Sequence, residues 1–214
     1  GCLLTGRSSV KVFSYIVRYD VGFAPNPFHG VCSLATCKQD IRKLAQVDDW
    51  IVGTGSRPNG KAGNLVYAMR VSEIVSFQEY WDDERFAEKR PNLRGSRMQH
   101  FGDNIYHRDP AGDWIQENSR HSKDDGSLEA RLMVRDTKSE RVMLGDEFVY
   151  FGGDGPVIPE ALRNDYGFDL VHSAPAYRSN FTDEHVAAII EWVRSLEQGV
   201  QGRPYDWPRR RQPA

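Results

Sequence analysis

Leu65-Val66-Tyr67-Ala68-Met69-Arg70-Val71-Ser72-Glu73-Ile74-Val75 is the stretch on which the fold turns. Its β-branched and aromatic residues predict one long strand with Leu65, Tyr67, Met69 and Val71 on one face. Upstream, Trp50-Ile51-Val52-Gly53 has the same character, and residues 55–63 between them read as a glycine-rich turn. The two strands are expected to pair as a hairpin.

Toward the N-terminus, residues 12–19 read as a buried first strand, followed by a loop whose course Pro25 and Pro27 restrict. Thr36 with Gln39 has the spacing of a capping box, and Ile41, Leu44 and Ala45 supply the apolar stripe of a short helix. Toward the C-terminus, Ser76 and Glu79 repeat the capping pattern, placing Phe77, Tyr80, Trp81 and Phe86 on a helix that ends before Pro91. Residues 104–108 and 114–116 predict a hairpin across Asp109-Pro110-Ala111-Gly112, and the polar stretch 117–129 predicts a mobile excursion. Strands at 141–144 and 148–151 flank Gly145-Asp146. Gly152-Gly153-Asp154-Gly155-Pro156 reads as a turn, because it lacks the Lys-Ser/Thr ending of a phosphate-binding loop. Thr182 caps a last helix carrying Val186, Ile189, Ile190, Val193 and Leu196 at helical spacing. The order of elements is that of an α+β protein: a single domain over residues 11–198, a start at 1–10 set aside, and a solvated tail at 199–214 containing Arg209 to Arg211.

The 214 residues with a formal charge of -2 suit one core and argue against a broad basic field for duplex nucleic acid. Cys2, Cys32 and Cys37 are an odd set with no zinc-ligand pairing, which points to a reducing, cytoplasmic setting and to no metal. No apolar run reaches the roughly 20 residues of a membrane span. Arg85, Lys89, Arg90, Arg94 and Arg97 form a basic run; its first part reads as a solvated helix face, and Arg90, Arg94 and Arg97 are the candidate phosphate contacts.

Several strings carry a resemblance: Asn26-Pro27-Phe28-His29-Gly30-Val31-Cys32, Leu34-Ala35-Thr36-Cys37, Asp49-Trp50-Ile51-Val52-Gly53-Thr54-Gly55-Ser56, and Phe101-Gly102-Asp103-Asn104-Ile105-Tyr106-His107. In this order they resemble the bacterial and phage family called nucleotide modification associated domain, type two, which implies an association with DNA base hypermodification. A more distant similarity to EVE, ASCH and PUA domains implies a PUA/EVE-like mixed β-barrel with flanking helices. It also implies a pocket for a modified base or nucleotide, with no cofactor. The residues that would line it are Asn26, Phe28, Gly30, Val31, Cys32, Ser33, Thr54, Gly55, Ser56 and Trp81, since a base reader needs ring faces and fixed polar groups. Trp50 and Tyr67 offer faces too but read as core. The rival expectation is an enzyme acting on a base or nucleotide through Cys37, His100, Asp103 and His107; a protein-interaction module is a third.

Overall fold

The structure is a computed structural model and describes residues 9–208; the early residues 1–8 and Arg209 to Arg211 of the expected tail lie outside them. The predicted hairpin forms. Eleven strands follow in chain order: β1 (Val12–Ile16), β2 (Cys32–Leu34), β3 (Trp50–Thr54), β4 (Leu65–Arg70), β5 (Glu73–Ser76), β6 (Tyr106–Arg108), β7 (Trp114–Gln116), β8 (Arg141–Gly145), β9 (Glu147–Tyr150), β10 (Tyr177–Arg178) and β11 (Gly199–Val200). The helices are α1 (Gln39–Leu44), α2 (Phe77–Asp82), α3 (Arg97–His100), α4 (Ala130–Asp136), α5 (Glu160–Asn164) and α6 (Asp183–Ser195).

Six strands make a mixed sheet in the order β10-β1-β3-β4-β9-β11, three make an antiparallel sheet in the order β2-β8-β5, and β6 with β7 forms the predicted outer hairpin. β1 and β3 run parallel, whereas β3 and β4 are antiparallel from Trp50↔Arg70 to Gly53↔Tyr67. The expected barrel does not form, because the strands divide between two sheets with separate edges. Two adjustments produce that division. The long strand breaks at Val71-Ser72, so β4 stays in the large sheet and β5 joins the small one. Likewise β8 and β9, separated by Asp146, belong to different sheets.

The period-two alternation of strands explains the layers. From β1 and β3, Phe13, Tyr15 and Ile51 face the small sheet and pack with Cys32, Leu34 and Met143. Val12, Trp50 and Val52 face the other way and meet Leu162 of α5 and Val186, Ile189 and Val193 of α6. The far side of the small sheet buries Val142 and Leu144 against Phe77, Tyr80 and Tyr106. A register shift at Gly53/Thr54 moves Leu65 to the α6 side, away from Tyr67, Met69 and Val71, so the expected common face holds for the last three only. Gly53 is required there: a Cβ would lie 2.4 Å from the Tyr67 ring and 2.7 Å from Val17.

Ser76 and Glu79 form the predicted capping box, and Thr182 caps α6. Thr36 and Gln39 do not: α1 starts after Lys38, and the buried Thr36 hydroxyl has no partner. Lys89 is also not on a solvated face. It is 1% exposed and its ammonium donates to Asn26 O (2.9 Å), Asn26 Oδ1 (3.1 Å) and Ser33 Oγ (2.7 Å). At the C-terminal end Gly199–Val200 adds a strand beside β9, and Trp207 stacks on Phe28 at 5.5 Å. Among the described residues no helix is long and apolar enough to cross a membrane.

Candidate active site

Cys37 follows β2 on a turn in which it and Lys38 both adopt left-handed backbone, with φ of 56° and 41°. Such conformations cost non-glycine residues on the order of 1–3 kcal/mol and persist only where surroundings impose them. Here they do. The Cys37 N–H donates to Asp136 Oδ1 at 2.9 Å, and the fully buried Arg42 donates through Nε to the Cys37 carbonyl at 2.7 Å. Arg42 also donates to the carbonyls of Ser139, Arg141 and Asp136, tying the turn to the end of α4 and the start of β8. Burial holds its guanidinium down at about 10, still a cation at neutral pH.

The polar stretch 117–129, expected to be mobile, folds back through turns and delivers His121. Asn118, Ser119 and Ser122 hydrogen-bond among themselves, while the Glu129 N–H donates to Gln116. His121 packs its ring against Phe23 at 4.8 Å, and its Nε2 lies 3.5 Å from Cys37 Sγ. On the opposite side, Nδ1 is 2.5 Å from Asp136 Oδ2. Asp136 is fully buried and also accepts the Tyr106 hydroxyl at 2.7 Å. This is a thiol, an imidazole and a carboxylate in line.

The electrostatics follow from this order. Burial alone would lower His121, but the hydrogen bond to Asp136 and the contact with Cys37 raise it to about 9. Burial alone would raise the Cys37 thiol and the Asp136 carboxyl; the hydrogen bond and charge of His121 outweigh it and leave both below their ordinary values. Arg135 adds to the effect, with Nη2 3.5 Å from Cys37 Sγ and 3.3 Å from Asp136 Oδ1. Both shifts move the pair toward thiolate and imidazolium. Cys32 is the contrast: burial pushes it up to about 12, so it stays a thiol.

Cys37 and His121 line a cavity of about 550 Å³ together with Arg18, Tyr19, Lys38, Arg120, Arg135 and Tyr177, among others. Such a volume suits a small molecule. Cys37, His121 and Asp136 also place potential metal-ligating atoms within 4.8 Å of one another. However, Asp136 Oδ2 grips the ring nitrogen facing away from the thiol, so it sits behind His121 as an orienting group. Only Sγ and Nε2 face each other, fewer than the three or four protein ligands of a zinc centre.

Of the residues singled out from sequence, Cys37 alone lies in this arrangement. Asp103 is buried and accepts from Ser33 (2.6 Å) and Tyr80 (2.7 Å). His107 pairs with Glu117 at 2.7 Å and stacks on Trp81, whose ring also meets Arg90 at 4.2 Å. His100 and Arg97 line a separate cavity with Phe101 and Trp207. Asn26, Cys32, Ser33 and Thr54 have no solvent exposure, and Ser56 and Phe28 are buried as well. Gly30 and Arg94 are exposed, Val31 is partly covered, and Gly55 pairs with Ala62.

No curated protein and no solved structure matches the chain. A family model described as nucleotide modification associated domain 2 matches residues 9–211, and the chain belongs to that family.

Proposed function

We propose that this protein is a cysteine-dependent enzyme acting on a nucleotide-type substrate within nucleotide or DNA modification, by acyl transfer or hydrolysis at a carbonyl-type carbon. The observation that carries the reading is the Cys37–His121–Asp136 line opening onto a cavity rimmed by cations. In this reading Cys37 Sγ attacks the carbon and forms a C–S bond. The bond to the leaving nitrogen or oxygen breaks, and that atom takes its electron pair together with the proton of His121 Nε2. Water then attacks the thioester while His121 accepts its proton, and the C–S electrons return to sulfur. Asp136 fixes the tautomer and orientation of the ring. Arg135, beside Sγ, is placed to stabilise the developing oxyanion.

The test is turnover of nucleotides bearing ester- or amide-linked substituents on the base, followed by mass spectrometry of both product and protein. Wild type should release the substituent and carry a transient adduct on Cys37 that hydroxylamine removes. Undiminished release by Cys37→Ala would end the reading.

A second reading is recognition of a modified nucleotide without turnover. It is supported by the aromatic faces of Tyr19, which is 76% exposed, and Tyr177 in the same cavity. Equal affinity in wild type and Cys37→Ala, with no adduct in either, would favour it. The basic residues Arg90, Arg94 and Arg97 remain part of that proposal as secondary contacts for a longer ligand.

A further inference from the structure

The charges around the Cys37 cavity are lopsided. Arg18, Lys38, Arg120 and Arg135 line it, against Asp40 as the carboxylate among the lining residues. Elsewhere several arginines meet acids. Arg70 reaches Asp48, Asp146 and Glu147; Arg85 reaches Glu73 and Asp83; Arg163 reaches Asp169; Arg194 reaches Glu147. Among the described residues Arg18 and Arg120 have neither a hydrogen bond nor an ion pair, and both are exposed at the mouth. Lys38 has no carboxylate either: its ammonium lies 4.9 Å from the Tyr15 ring centre. Burial lowers its pKa, the nearby Cys37 sulfur opposes that, and the positive charges of Arg18 and Arg135 lower it further. Deeper in, Arg135 has its Nε buried without a partner. Arg135 has Asp136 at 3.3 Å, but Arg18, Arg120 and Lys38 have no carboxylate partner among the described residues; like charges gathered in excess disfavour one another, and a bound anion relieves that repulsion.

We infer that Arg18, Lys38 and Arg120 form the phosphate subsite of this cavity, so that the substrate is a free, phosphomonoester-bearing mononucleotide whose reactive carbon lies at Cys37. This rests on the reading of Cys37 as the nucleophile. A phosphomonoester carries close to two negative charges at neutral pH and three acceptor oxygens, which matches several convergent donors better than a single carboxylate does. A mononucleotide fits an enclosure of about 550 Å³. A duplex would call for a wide basic field, and the whole chain carries a formal charge of -2.

The experiment is protection of Cys37 from iodoacetamide in the full chain with Cys2 replaced by Ser. The probes are the common 5′-nucleoside monophosphates, the same nucleosides without phosphate, inorganic phosphate and a short single-stranded oligonucleotide. Ionic strength is held constant with chloride, and each protein is normalised to its own unprotected rate. At least one monophosphate should protect at a concentration about tenfold or more below its nucleoside, as expected for charge-assisted contacts. Inorganic phosphate should protect weakly. In Arg18→Ala/Arg120→Ala the advantage of monophosphate over nucleoside should vanish. Equal protection by nucleoside and nucleotide, protection by the oligonucleotide alone, protection by none, or an advantage that survives the double substitution would each overturn the inference. The pH dependence of the unprotected rate reports separately on the nucleophile. An ordinary thiol profile would remove the parent reading, whereas an acid-shifted profile with failed protection would remove the phosphate subsite only.

Discussion

Asp136→Asn keeps the shape of the site and removes one charge, so it isolates what the carboxylate does. The ring of His121 is lifted from 6.5 to about 9 against the opposing effect of burial, with Asp136 as the first partner that raises it. At about 1.4 kcal/mol per pKa unit, that lift is worth about 3 kcal/mol of preference for the imidazolium. An amide removes the Asp136 share of that lift and leaves the share from Cys37, so the ring should lose its proton at a lower pH. The Cys37 thiol then loses much of the His121 charge that offsets its burial, partly countered by the loss of the Asp136 charge that raises it, and should move back toward its ordinary 9.0. A thiol titrating there is only about one-hundredth ionised at pH 7, so alkylation by iodoacetamide should slow by up to roughly 100-fold. The assay is the rate of Cys37 modification from pH 5 to 10 in a Cys2→Ser background, where Cys32 is silent because it is buried. Circular dichroism confirms that the variant is folded. A variant that alkylates with the wild-type pH profile would refute the claim that Asp136 acts through His121 to ionise Cys37.

Turnover itself should need the thiolate and the imidazolium together. It should rise at a pH below the ordinary thiol value, as Cys37 ionises, and fall at about 9 as His121 loses its proton; a kcat/KM profile still climbing through that pH would contradict the assignment. Lys89→Met leaves the buried Asp103 without its nearby cation and should cost about 3–5 kcal/mol in urea unfolding. Adding Asp103→Asn should recover part of that loss, and a cost below about 1 kcal/mol would show that the charge pair contributes little. Gly53→Ala forces a methyl against Tyr67 and Val17 and should lower stability by about 1–3 kcal/mol, read as a shifted urea midpoint.

The longer strands and the two well-capped helices were legible because their signals are local, whereas the short β2, β10 and β11 were not read. Runs of β-branched and aromatic residues mark β1, β3 and β4, and the side chains of Ser76 and Thr182 reach N–H groups within their own turns. The division into two sheets, in place of the expected barrel, was not legible, since the break at Val71-Ser72 is imposed by partners from afar: Val71 N–H goes to Asp49 O and Ser72 N–H to Leu144 O. Cys37 stood out by residue type, but its partners did not. His121 sits in a polar stretch with no periodicity, and Asp136 ends a helix with no apolar stripe to draw the eye. Their roles exist only once sequence separations of 84 and 15 residues are closed in space. The one signal available was negative: a histidine in a stretch too polar to form core has no packing reason to be there.

Arg42 explains how so small a structure can hold the Cys37 thiol in strained backbone. Its guanidinium serves the carbonyls of Cys37, Asp136, Ser139 and Arg141 from a fully buried position. Hydrogen bonds from a charged donor contribute about 1.5–3 kcal/mol each, so together they exceed the strain of two left-handed residues. The same side chain therefore fixes the turn that presents the thiol, the helix end that carries the carboxylate, and the strand that begins after it. Docking of α1 against β8 and assembly of the triad become one event. Arg42→Met, which keeps the apolar length and removes the donors, should consequently lower the thiolate character of Cys37 even in molecules that remain folded. The readout is the alkylation profile used for Asp136; a strongly destabilised variant whose folded fraction retains the acid-shifted thiol would separate the two roles and defeat this account.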